Sequence, residues 1–352
     1  MESVAIFDIS DIDLGQVIGL GNYCTVFNGR LSRQCFRKRP AIMKDHPNLQ
    51  KPFVVKKIKR LNNRSLDVNE SYLDLRRETE ILSSLNHRNI IDIYGRCVTA
   101  PDYSLRNNYF IVLEKLSCTL ERKLHLWTKP QFEMENRLQS FFFKKVKYKN
   151  QMIQQTKTLL ENRLQVAASI ASGLSYLHSK NILYRDLKPS NIGFDHNDEV
   201  KIFDLGLSIS LKPKKTVTEY CGSPRYMAPE VFQRQPYDYP VDVYSFGILL
   251  WQICSLKVPF DDEKSLDLLK KKVIQEDKLY RPKIDQQWKS CLQDLITCCW
   301  DANPDNRPQM CTVERILQQE IISNRRHRPI KQTSLINLPN FSPKPLLRNN
   351  SI

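Results

Sequence analysis

Apolar residues recur along this chain with two different periods, and the period changes before its middle. From Leu14 to Arg30 apolar and polar positions alternate about a glycine-rich turn, which predicts a β-hairpin. The basic, proline-containing stretch Arg33–Pro52 that follows reads as a loop. Phe53–Lys59 (FVVKKIK) and Tyr109–Leu113 (YFIVL) are short, rich in β-branched or aromatic residues, and predict strands. Between them, Leu75, Thr79, Leu82 and Leu85 recur at helical spacing and predict a helix over Leu73–Leu85. Further on, Val166, Ile170, Leu174 and Leu177 form one stripe of a helix over Asn162–Ser179. Val241–Ile253 is apolar on nearly every side and predicts a buried core helix. Strands first and helices afterwards predict an α+β fold with a small β-rich lobe ahead of a larger helical one.

The chain has 352 residues, enough for one large core split over two lobes. Apolar residues make up 41% and charged residues 26%, ordinary for a globular protein, but the net charge of +16 is not ordinary. It predicts attraction to acidic partners and is silent on fold. Two segments concentrate that charge: Trp127–Lys157, rich in lysine around Phe141–Phe143, and the acid-free tail Ser323–Ile352, which reads as disordered. Both read either as solvated surface or as docking surfaces for an acidic partner such as nucleic acid or an anionic membrane. The ten cysteines form no paired C-x-x-C sets, which argues against a zinc site. Met1–Asp13 has no apolar run of signal-peptide length, and no stretch reaches the ~18 apolar residues of a membrane span. Free thiols without a secretory leader point to an intracellular protein, cytoplasmic or nuclear.

Three segments carry candidate chemistry. Ile18–Val26 (IGLGNYCTV) places glycines between two strands, where backbone N–H groups can approach phosphate oxygens with no Cβ in the way. The run from Cys24 to Arg30 is strand-like, which argues against a dinucleotide fold, where such a loop enters a helix. In FVVKKIK the adjacent Lys56 and Lys57 face opposite sides of a strand, so only one can neutralise phosphate in a cleft. Glu78 and Glu80 compete as its carboxylate partner. The third segment is YRDLKPSNIGFD, Tyr184–Asp195, followed by KIFDLG, Lys201–Gly206.

With these residues in view, the chain resembles the eukaryotic protein kinase family. The catalytic loop H-R-D-L-x-x-x-N is matched by Tyr184-Arg185-Asp186 through Asn191, and the metal motif D-F-G by Asp204-Leu205-Gly206. Ala228-Pro229-Glu230, Asp242 of DVYSFG and Arg307 of NPDNRP extend the resemblance over about residues 12 to 318. It implies a domain over 12–318, with an N-lobe to 114, a C-lobe from 117 and a basic insert over 127–157. Residues 1–11 would then be an extension and 319–352 a tail. It also implies Mg-ATP as cofactor and proteins as substrates.

The resemblance assigns roles as well. Asp186 acts as base on the substrate hydroxyl, Lys188 offsets charge on the γ-phosphoryl, and Asn191 and Asp204 hold magnesium. Lys56, which follows Val54 and Val55 at the family's spacing, contacts the α- and β-phosphates and pairs with Glu78. Gly19 and Gly21 belong to the phosphate roof, while Ile18 and Val26 cover the adenine. Leu113 is the gatekeeper, and Glu114 to Leu116 form the hinge. Lys188-Pro189 and CGSPRYMAPE resemble serine/threonine kinases, with Ser223 lining the substrate site. DVYSFGILLWQI and Cys299-Trp300 resemble the tyrosine-kinase-like group. Arg185 before the base implies a loop ordered by phosphate, with Thr216 and Thr218 as candidate sites. Three positions depart from the pattern: Cys24 for the third glycine, Tyr184 for histidine and Leu205 for phenylalanine. None removes a charge the chemistry needs. Cys24 brings a thiol to the phosphate roof as a possible modification site. The competing reading is a pseudokinase or scaffold that binds ATP without turnover.

Overall fold

The computed structural model describes residues 4–21, 23–59, 65–98, 108–128, 146–274 and 280–326. Six strands build the N-terminal lobe: β1 (Ala5–Phe7), β2 (Ile12–Leu20), β3 (Cys24–Leu31), β4 (Phe53–Ile58), β5 (Ile93–Cys97) and β6 (Phe110–Glu114). Their order in the sheet is β1-β5-β6-β4-β3-β2. The pairing of β3 with β4 sets Val26 opposite Lys56. β1 lies within the segment expected to precede the domain and pairs parallel to β5, Ala5 opposite Gly95.

The two faces of this sheet carry different cores. Helix α3 (Ser65–Ser83) covers the inner face, with Tyr72, Leu75 and Leu82 buried beside Val54, Ile111 and Leu113. The outer face is covered by the stretch 33–52, and here the expectation of a loop fails. The stretch folds into α1 (Arg33–Lys38), α2 (Ile42–Asp45) and a 3-10 turn, Pro47–Gln50. Ser32 caps α1: its hydroxyl accepts from the Cys35 N–H at 3.1 Å and donates to the Ser10 carbonyl at 2.7 Å. Cys35, Ile42 and Leu49 then join Phe7, Phe53, Val55, Phe110 and Val112 in a separate buried cluster. Side chains of this size contribute about 1.5–3 kcal/mol each on full burial. Pieces of four to six residues, each burying one apolar side chain, are too short to show a helical period.

The C-terminal lobe is helical: a helix over residues 120–128 (α4), α5 (Val146–Ser179), α6 (Pro229–Phe232), α7 (Pro240–Ser255), α8 (Leu266–Ile274), α9 (Ser290–Cys299) and α10 (Met310–Arg326). α7 is buried from Val241 to Cys254 and packs against α5 and α9. Short strands β7 (Cys118–Thr119), β9 (Ile192–Phe194) and β10 (Val200–Ile202) form a second sheet beneath the cleft, and β8 (Ile182–Leu183) pairs with β11 (Ile209–Ser210). Much of the expected insert (129–145) and tail (327–352) lies outside the described residues. Residues 146–157 are the first turns of α5, and 323–326, expected as the start of the disordered tail, are the last turn of α10. Among the described residues, no helix is long and apolar enough to cross a membrane.

Candidate functional site

The cleft between the lobes gathers the charged residues of the three segments. β4 turns Lys56 inward, and its Nζ donates to both carboxylate oxygens of Glu78, at 3.0 and 2.7 Å, and to Asp204 Oδ1 at 2.8 Å. Lys57 turns the other way and donates to Asn108 Oδ1, while Glu80 accepts from Arg76. Burial alone would lower the Lys56 ammonium, but Glu78 and Asp204 outweigh it and hold it well above the usual lysine range. Lys56 in turn holds the Asp204 carboxyl below the usual carboxylate range, so that charge persists well to the acid side of neutral. The Asp204 side chain is 46% exposed, whereas that of Glu78 is 2% exposed. Glu78 therefore positions the lysine, and Asp204 faces the open cleft.

A second network lies directly below. Asp186 Oδ2 accepts from Lys188 Nζ at 2.7 Å and from Asn191 Nδ2 at 2.9 Å, and Oδ1 accepts from the Ser223 hydroxyl at 2.7 Å. Lys188 Nζ also donates to Ser223 Oγ at 2.9 Å, so Ser223 and Lys188 both touch the carboxylate and each other. Each Asp186 oxygen has two lone pairs, and Oδ1 retains one for an incoming hydroxyl. The approach of Ser223 depends on Gly222, which has φ 103°; a Cβ there would stand 2.6 Å from the Arg185 carbonyl.

The loop carrying Asp186 is held from beneath. Arg185 has φ 73°, an unfavourable conformation for a side-chain-bearing residue. Buried Asp242 offsets that strain by accepting from the N–H groups of Tyr184 and Arg185, both at 2.8 Å, and it also bonds His178 Nε2 at 2.9 Å. Tyr184, where the family has histidine, is fully buried and donates its hydroxyl to the Phe203 carbonyl at 2.6 Å. It thereby ties the catalytic loop to the residue before Asp204. Leu205 is likewise fully buried, in the core cluster that contains Leu82 and Tyr184.

The Arg185 side chain turns to the loop that follows Gly206. Its Nη1 donates to Glu219 Oε2 at 2.6 Å and its Nε to the Leu207 carbonyl at 2.6 Å. The Glu219 carbonyl accepts from the Tyr237 hydroxyl at 2.8 Å, and Val217 bridges to Tyr237. Thr216 and Thr218 are exposed on the same loop. Nothing in the motifs marked Glu219; the signal available was an acid within reach of a loop rich in lysine.

The upper wall is β2, the turn and β3. Ile18 is 48% exposed, Gly19 sits against Val26, and the Gly21 N–H closes the turn onto the Cys24 carbonyl at 2.9 Å. Burial pushes the Cys24 thiol up to about 11, so it is protonated at neutral pH and not activated. At the back, Leu113 is buried, and the buried Glu114 side chain pairs with Lys201 at 3.1 Å. Among the described residues, no backbone carbonyl accepts from the Leu116 N–H. The Leu116 side chain lies over Gly193 so closely that a Cβ there would overlap it, and Phe203 flanks the same spot. Leu116, named from the sequence as the end of the hinge, thus packs on Gly193, which the motif reading did not single out.

The arrangement suits a polyanion above and a hydroxyl below. Lys56 and the glycine turn face the first, and Asp186 with Lys188 faces the second. A divalent cation fits between them: magnesium binds proteins through one or two carboxylates while keeping phosphate and water oxygens. Asp204, exposed to the cleft, and Asn191 are the residues that would hold it.

A family model for the protein kinase domain matches residues 41–322. A probable serine/threonine-protein kinase of Dictyostelium discoideum is 31% identical over 255 residues, which is 72% of this chain and 24% of that protein. A serine/threonine-protein kinase of Arabidopsis thaliana is 28% identical over 263 residues, 74% of this chain and 40% of its own length. A serine/threonine/tyrosine-protein kinase of the same plant is 28% identical over 242 residues, 69% of this chain and 53% of its length. The chain thus spans about half or less of these curated relatives.

Proposed function

Because the chain belongs to the protein kinase domain family, we propose that it transfers the γ-phosphoryl group of magnesium-bound ATP to serine or threonine hydroxyls of proteins. The observation that supports this most is the intact pair of networks in one cleft: Lys56 with Glu78 and Asp204, and Asp186 with Lys188, Asn191 and Ser223. A protein that only bound ATP would use Lys56, Glu78 and Asp204 but would have no need of Asp186 with Lys188 and Ser223.

In this reading the glycine turn and Lys56 hold the α- and β-phosphates, Ile18, Val26 and the Gly193 floor enclose the adenine, and the Leu116 N–H donates to it. Asp204 and Asn191 would hold magnesium, which would supply positive charge to the phosphate oxygens. The substrate hydroxyl oxygen attacks the γ-phosphorus, the bond to the β–γ bridging oxygen breaks, and ADP leaves with that electron pair. The hydroxyl proton passes to Asp186, and Lys188 offsets the charge on the transferring group. Ser223 lines the place of the substrate residue. Thr216 and Thr218 are candidate phosphorylation sites, whose phosphate would share Arg185 with Glu219.

The test is transfer of labelled γ-phosphate from Mg-ATP to a generic basic protein and to the chain itself. Label on serine or threonine that disappears in both Asp186→Asn and Lys56→Met supports the reading. Nucleotide binding without any transfer, even after loop phosphorylation, would shift it to a scaffold.

A further inference from the structure

The cap on the outer face of the N-terminal sheet uses only part of its charge for folding. Residues 33–52 carry six cations, Arg33, Arg37, Lys38, Arg39, Lys44 and Lys51, against the single acid Asp45. Two of the six hold the cap to the lobe. Arg39 donates to Asp11 Oδ2 at 2.8 Å and to the Ile6 carbonyl at 2.7 Å, and it lies over the Phe7 ring. Lys38 stands 3.7 Å from Asp11 Oδ1. The other four are exposed, and none of their side chains has a hydrogen-bond or carboxylate partner among the described residues.

The placement of two of these works against the helix that carries them. At 100° per residue, Arg33 and Arg37 each lie about 160° around α1 from Cys35, which is buried against the sheet. They therefore point outward together, four residues apart, as a like-charge pair that destabilises a helix. No acid within α1 offsets them. Beside them, Phe36 and Ile9 are each 38% exposed, Ile9 on the turn Ile9–Asp11 that α1 packs against. A face made only for solvation needs mixed charge and no exposed aromatic ring. Cations flanking apolar side chains suit a lipid surface, where the cations meet anionic head groups and the apolar groups enter the acyl boundary. A nucleic acid would use the cations and gain nothing from Ile9.

The cap also faces away from the cleft. Along β4, Phe53 and Val55 join the core beneath the cap, whereas Val54 and Ile58 join that of α3, and Lys56 turns to Glu78. A surface that covers the cap leaves Lys56 open to the cleft.

We propose that the cap of residues 33–52 docks on membranes rich in anionic lipid, through Arg33, Arg37, Lys44 and Lys51 with Phe36 and Ile9 at the acyl boundary. This docking does not depend on the proposed catalysis.

The test is sedimentation of the full chain with vesicles of phosphatidylcholine alone, or containing about one-third phosphatidylserine, at low and high salt. Binding is expected only with phosphatidylserine, and it weakens as salt rises. Arg33→Gln combined with Arg37→Gln should weaken it about twentyfold, near fivefold per charge, and Phe36→Ser should weaken it without changing the salt dependence. Lys331→Gln combined with Lys344→Gln removes the same charge near the end of the chain and should cost less. An equal loss there would make net charge responsible and overturn the proposal. So would no binding to phosphatidylserine vesicles, or tighter binding of a duplex RNA lost in the same cap variants, which would make the cap a nucleic-acid surface. The melting temperature of the double arginine variant should equal or exceed that of wild type, because a repulsive pair is removed. A clear fall would mean that these arginines serve the fold instead. A fluorescent ATP analogue should bind equally with and without vesicles; its exclusion by vesicles would place the contact at the cleft and sink the assignment to the cap.

Discussion

Two ionic clusters, one in the cleft between the lobes and one inside the C-terminal lobe, are built from similar groups and left in different states. In the cleft, Lys56 is 16% exposed and Asp204 46% exposed, with Glu78 as the closed end of the triad. In the C-terminal lobe, Arg307 is fully buried and binds Glu230 by two bonds of 2.5 and 3.0 Å, with the Pro240 and Asp301 carbonyls taking further donors. A sealed, fully bonded pair can only hold α6 and α7 in place against the segment that enters α10. A pair open on one side keeps a charged oxygen and an ammonium available to a ligand. The difference separates groups that position the site from groups that meet what enters it.

Four experiments break or sharpen that contrast. The largest effect is expected at the proposed base, Asp186, whose side chain is 10% exposed. Asp186→Asn should lower phosphate transfer by roughly 10²–10⁴-fold while the melting temperature stays near wild type. A loss explained wholly by unfolding would put Asp186 with the sealed groups. The reverse pattern is expected for Arg307→Met, which leaves Glu230 buried and uncompensated. Urea denaturation should show about 3–5 kcal/mol less stability, and an unchanged midpoint would mean that water reaches Glu230.

Glu219 lies between the two classes, since Arg185 is 3% exposed and Glu219 67% exposed. Glu219→Gln should reduce transfer by loop-unphosphorylated protein only about two- to fivefold. Single-turnover rates on protein shown by mass spectrometry to lack loop phosphate measure this. No change would mean that the bond from Arg185 to the Leu207 carbonyl suffices. The smallest effect concerns Cys24. A thiol pushed up to about 11 reacts slowly at neutral pH, and its thiolate fraction rises about tenfold per pH unit until that value is reached. Peptide mapping after iodoacetamide at pH 7.5 should find exposed Cys298 and Cys311 labelled well before Cys24. Early labelling of Cys24 would show the roof to be more open than its burial implies.

Legibility followed the range of the interactions involved. The strands Phe53–Ile58 and Phe110–Glu114 and the helix Pro240–Ser255 stood within a residue or two of their expected bounds. Their apolar patterns are continuous and local. The outer core did not stand out. Cys35, Ile42 and Leu49 are spaced seven apart across three short elements, and what buries them is Phe7 from one end of the lobe and Phe110 from the other. No window along the chain contains those partners together. Gly193 beneath Leu116, and the pair of Arg185 with Glu219, were missed for the same reason.

What the amino-acid order determined by itself is the inventory. Charged residues at fixed intervals, as in Tyr184–Asn191 and Asp204–Gly206, sit on a loop and a turn too short to place them otherwise. What residue spacing leaves open, and the resemblance only implies, is which of two equivalent residues faces inward; the tertiary structure decides it. Lys56 and Lys57 are alike in sequence, and so are Glu78 and Glu80. The packing of β4 against β3 and β6, and of α3 over the sheet, turns one of each pair to the cleft. It leaves Lys57 to Asn108 and Glu80 to Arg76. The physical reason is that a side chain's direction along a strand or helix is set by which face is buried, and burial belongs to the assembled core.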